Sequence, residues 1–94
     1  VKSTFTLQIG NSDGKLTQPE WSNFVGDIQV AIKTYIDEIH FTGVSPGDEP
    51  WQNACWVCEI DGANVERLIA RLREGRARWS QDSVAVTFGD TQLV

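Results

Sequence analysis

Cys55 and Cys58 stand in a CxxC spacing, and the one histidine, His40, sits two residues from both Glu38 and Thr42. A CxxC pair holds zinc or exchanges disulfides when it lies in a turn or at a helix N-terminus, where both sulfurs converge. Here it lies inside WQNACWVCEI, residues 51–60, a run without turn formers that reads as a strand. Residues three apart on a strand point to opposite faces, and no second Cys or His pair completes a ligand set. The pair therefore reads as small side chains packing in a sheet, and neither a metal nor a cofactor is expected in this chain. Glu38, His40 and Thr42 instead share one face of a short strand, a spacing at which Glu38 could orient the imidazole for ligand binding or proton transfer. No serine or cysteine is tied to them by sequence, so a solvated edge strand explains the same residues.

Two further patterns have structural explanations of equal reach. Asn11, Asp13, Gly14, Leu16 and Glu20 fall at positions 3, 5, 6, 8 and 12 of a calcium-binding EF-hand loop. Position 1 is Ile9, however, and Thr17 with Glu20 make a capping box that accounts for the stretch as a helix entry. Trp51, beside the turn-rich run Ser45 to Pro50, either packs across the end of a helix or stands out as an anchor for a partner.

The elements that must position these residues follow from periodicity. Thr4 to Gly10 alternates, with Phe5, Leu7 and Ile9 on one face, as a half-buried strand does. From Thr17 to about Asp37, Trp21, Phe24, Val25, Ile28, Ala31, Ile32, Tyr35 and Ile36 repeat at helical spacing, with Leu16 and Trp21 placed as a hydrophobic staple and Val30 on the exposed side. Glu38 to Val44 reads as a strand with Ile39 and Phe41 inward. Trp51 to Ile60 is apolar at most positions on both faces and reads as the central strand, buried between two layers. A second helix begins near Asp61 to Asn64, buries Val65, Leu68, Ile69 and Leu72, and runs through Gly75 to about Arg78. Ser83 to Phe88 is the last strand, with Val84, Val86 and Phe88 inward.

Strand, helix, strand, strand, helix, strand is the split βαβ order. It predicts an α+β, ferredoxin-like βαββαβ domain over residues 1–94, a four-stranded antiparallel sheet with both helices on one face. Strands one and three are then central and two and four are edges. The other face would show Thr4, Thr6, Gln8, His40, Thr42, Asn53, Cys55, Val57, Ala85 and Thr87, with Glu59 joining them if Trp56 points to the core.

Composition narrows the function classes. At 94 residues there is room for one core, and 40% hydrophobic with 22% charged residues is ordinary for a globular domain. Net charge is −5, unevenly spread: residues 67–78 hold five arginines against one glutamate, a local +4, while the rest carries three lysines against twelve acids, −9. An acidic whole disfavours nucleic acid, and the open face lacks the aromatic platform that RNA-recognition modules of this topology use. Two cysteines are too few for a disulfide framework, there is no signal-peptide succession, and no apolar run approaches the ~20 residues of a membrane span. A cytoplasmic protein is the expectation.

The strings FTLQIGNSDGKLTQPEW and PWQNACWVC resemble the opening and the middle of an uncharacterised family of small bacterial proteins associated with chromosomes and mobile elements. The resemblance implies no activity. The sequence thus favours a non-enzymatic interaction or regulatory protein, using Trp51, Val57, Arg67 and Arg71, and either forming a homodimer through the open sheet face or meeting another protein. The alternative is a small-molecule-binding or catalytic ferredoxin-like dimer built around Glu38, His40 and Thr42.

Overall fold

Alternation of Phe5, Leu7 and Ile9 with polar neighbours makes β1 (Lys2–Gly10), whose inward side chains are almost completely buried. The structure, a computed structural model, describes residues 2–11, 14–45, 52–90, 92 and 94. After β1 come α1 (Gln18–Tyr35), β2 (Glu38–Val44), β3 (Asn53–Asp61), a 3-10 turn (Gly62–Asn64), α2 (Val65–Arg78) and β4 (Ala85–Gly89). All pairs in the sheet are antiparallel, in the order β2-β3-β1-β4, so β1 and β3 are central as the element order predicts.

The helix ends follow local chemistry. Glu20 N–H donates to Thr17 Oγ1 at 3.3 Å and Thr17 N–H to Glu20 Oε1 at 2.9 Å, the reciprocal capping box. The Thr17 backbone N–H, with a smaller contribution from the Thr17 side chain, holds the Glu20 carboxyl below its ordinary range. At the far end α1 stops at Tyr35, two residues short of the expected Asp37. Ile36 is already extended, and Asp37 N–H donates to Glu59 O at 3.0 Å, which draws the chain onto the edge of β3. In α2, Asp61 Oδ1 accepts from Ala63 N–H, capping the 3-10 turn that leads into the helix.

The core lies between the helices and one sheet face, with Phe24, Ile28 and Ile32 of α1 and Leu68 and Leu72 of α2 packed on Phe5, Leu7, Trp56 and Ile60. Val30 is exposed, as its place opposite the apolar stripe requires. Gly75 sits where the helices approach: a Cβ there would lie 3.4 Å from Ile28 Cδ1 and 3.5 Å from Asp27 Oδ2. That close approach admits a polar clamp. Asp27 accepts from Arg71 Nη2 at 2.6 Å, Trp79 Nε1 at 3.3 Å and Arg78 Nη1 at 3.5 Å.

Asn11 explains the stretch that imitates a calcium loop. Its Oδ1 accepts from Leu16 N–H at 2.9 Å, its Nδ2 donates to Leu16 O at 3.0 Å and to Gln52 Oε1 at 3.1 Å. The amide thus pins the entry to α1, its oxygen already taken by a backbone donor. Asp13 of that stretch lies outside the described residues, as does Trp51.

Two expectations need correction. β3 is not buried between two layers: Ala54, Trp56, Cys58 and Ile60 enter the core, but Cys55, Val57 and Glu59 on the other face are only half-buried, and no described element covers them. In β2, Ile39 pairs with Cys58 but Phe41 pairs with Val57, so His40 and Phe41 together stand against one residue of β3. This β-bulge reverses the alternation after Ile39. Phe41 moves to the open face, and Thr42, paired with Trp56, takes the core-side parity.

Candidate functional site

The bulge builds the open face. Phe41 is 58% exposed, and its ring passes within 2.8 Å of where a Gly43 Cβ would stand. Only glycine at 43 leaves room for the phenyl to lie along its own strand. The ring, Gly43, Val44 and Ser45 from β2 and its end, and Gln8, Asn53, Ala54 and Cys55 from the central strands line an open groove of about 480 Å³. His40 is not among these residues, so the groove lies beside the histidine rather than around it.

On the other side of Phe41 three ionisable groups come together. Glu38 and Glu59 are Cα partners across β2 and β3, and His40 Nε2 lies 3.7 Å from Glu59 Oε2. One ligand atom from each of Glu38, His40 and Glu59 lies within 4.8 Å of the other two. Of the expected trio the structure unites Glu38 and His40 and sends Thr42 away, with Glu59 in its place. Glu59 was assignable to this face from β3 alone. Its meeting with His40 depends on strand register, which periodicity does not carry.

The CxxC splits between faces. Cys58 is fully buried under the sheet and Cys55 is half-buried in the groove, both as free thiols. Burial, with a smaller contribution from nearby Cys55, pushes the Cys58 thiol up to about 11. A thiol held protonated in this way is a poor nucleophile and a poor metal ligand.

The remaining expected residues divide by use. Val57 stands half-buried in the middle of the open face, between Thr6 of β1 and Phe41 of β2. Arg67 is exposed. Arg71 is taken up by Asp27 in a partly buried pair, which removes it from the surface available to a partner. No described helix is long and apolar enough to cross a membrane.

No protein-family model matches the chain, and no curated protein matches it. Solved structures do. A de novo designed protein is similar at a TM-score of 0.66 and 14% identity, over 98% of this chain and 100% of that one. A dimeric ferredoxin-like protein of unknown function from Thermobifida fusca is similar at a TM-score of 0.62 and 11% identity, over 96% of this chain and 92% of that one. An uncharacterised protein from Thermotoga maritima is similar at a TM-score of 0.51 and 11% identity, over 97% and 96% of the two chains. At such identities the likeness concerns architecture, and it places this chain in the ferredoxin-like α+β fold.

Proposed function

We propose that this protein is a non-enzymatic interaction module that works as a homodimer, with the open sheet face of one copy laid on that of another. The observation that carries the reading is Phe41, a large apolar side chain that a bulge places, with room left by Gly43 two residues on in the same strand, on a sheet face no described element covers. Around it stand Val57, Cys55, Thr6, Ala85 and Thr87, side chains short enough for a second sheet to approach. The Thermobifida fusca protein of the same fold is described as dimeric, which supports the reading.

The size of the face sets the strength. Four strands about 4.8 Å apart and some seven residues long at about 3.3 Å per residue make a patch of roughly 20 by 25 Å. Two copies then bury about 1,000 Å², the lower bound for a specific interface, so dissociation at micromolar concentration is expected. Each copy carries −5, so screening their mutual repulsion should strengthen the dimer as salt rises.

Sedimentation equilibrium across micromolar concentrations tests this. The parent should approach twice the mass of one chain. Thr6→Lys, between Val57 and Thr87 in mid-face, should remain monomeric because two lysines would meet across the twofold axis. A parent that stays monomeric at high micromolar concentration contradicts the reading. A dimer that survives Thr6→Lys but dissolves in salt would move the interface to the arginine-rich α2.

A further inference from the structure

The proposed dimer leaves the group at the bulge unexplained. We propose that Glu38, His40 and Glu59 form a binding site for a divalent transition cation of the Zn²⁺ or Co²⁺ kind. All ligand atoms come from one chain, so the site does not depend on the dimer.

Geometry carries the proposal. A zinc-like ion with bonds of about 2.0–2.2 Å holds its ligand atoms roughly 3.0–3.5 Å apart. His40 Nε2 and Glu59 Oε2 stand at 3.7 Å already, and all three ligand atoms lie within 4.8 Å of one another. Side-chain rotations of about an ångström complete the set. The supports are hydrogen-bonded strands rather than a loop: register fixes Glu38 opposite Glu59, and His40, two residues on from Glu38, reaches the same Glu59 carboxylate.

Electrostatics and ligand chemistry point to the same class of ion. Two glutamates directly opposed across a strand pair are unfavourable to each other, and a dication between them reverses the sign of that interaction. Two carboxylates balance a 2+ charge. The imidazole selects borderline ions such as Zn²⁺, Co²⁺ and Ni²⁺ over Ca²⁺ and Mg²⁺, which prefer oxygen throughout. His40 and Glu59 side chains are 44% and 32% exposed, so water completes the coordination and affinity should be micromolar rather than that of an enclosed site.

A single histidine makes the test direct. Proton NMR of the full chain titrated with CoCl₂ should shift or broaden the His40 ring signals with a midpoint in the micromolar range at one ion per chain, and ZnCl₂ should displace the effect where MgCl₂ does not. Calorimetry with ZnCl₂ should show at least tenfold weaker binding for His40→Gln and for Glu59→Gln, each checked for folding by circular dichroism. Glu38→Gln serves as a second carboxylate variant. Thr42→Val, on the opposite parity, should bind as the parent does. Thr6→Lys, the monomer variant, should bind as well, which separates this site from the dimer reading. Midpoints near 1 mM, or Zn²⁺ binding unchanged in both His40→Gln and Glu59→Gln, would overturn the proposal.

Discussion

Asp27→Asn should be among the most destabilising single-atom exchanges on this chain. The Asp27 carboxylate, 14% exposed, receives Arg71, itself 21% exposed, together with Trp79 Nε1 and the outlying Arg78. Removing one partner of a fully buried pair costs about 3–5 kcal/mol because the other charge is left without compensation. Partial exposure of both groups lowers that, and Arg78, 59% exposed, adds little to the total. An estimate of about 2–3 kcal/mol remains, which in a domain of this length lowers the melting temperature by roughly 10–20 °C. Thermal unfolding by circular dichroism reads it. Arg71→Met combined with Asp27→Asn should be less destabilised than the two single changes added together, since no charge is then stranded. Loss of only two or three degrees in Asp27→Asn would refute the clamp and return Arg71 to the surface.

Other consequences follow from single residues. Cys58 has a folded pKa raised from an ordinary 9.0 to about 11, so the folded state keeps its proton where the unfolded chain loses it. Its contribution, about 2–3 kcal/mol, is whole below pH 9 and fades between pH 9 and 11. Denaturant titrations of the parent should show this alkaline loss and Cys58→Ala should lack it; parallel curves would contradict the burial argument. Alkylation of the native protein at neutral pH should mark Cys55 in preference to Cys58, read by peptide mass. Asn11→Ala, which strips three hydrogen bonds from the entry to α1, should cost about 2–3 kcal/mol, and a change under half a kcal/mol would mean that the turn holds without the amide.

Local signals explain what was legible in the sequence. Thr17 and Glu20 marked the start of α1 because a capping box is a contact between neighbours in the chain. Phe24, Ile28 and Ile32, and Phe5, Leu7 and Ile9, announced their elements through period, and the split βαβ order then limited the sheet to β2-β3-β1-β4. The site was less legible because it turns on one inserted residue. Glu38 to Val44 reads as a regular alternation with Ile39 and Phe41 inward, and a bulge at His40 reverses every side chain after it without altering the composition of the strand. Gly43 was the available clue, since a glycine inside a strand marks a bulge or a close approach. The pairing of Arg71 was illegible for a different reason: its partner Asp27 lies 44 residues away on another helix, a contact that only packing creates.

Contact between the two copies is the most direct test of the central claim. Isotope-filtered NMR on a mixture of labelled and unlabelled chains, at a concentration above the dissociation constant, should detect intermolecular contacts from the Phe41 ring to Val57, Thr6 or Thr87 of the second copy. Contacts arising from α2 instead, or none at a concentration where sedimentation gives twice the mass of one chain, would contradict pairing through the open sheet face.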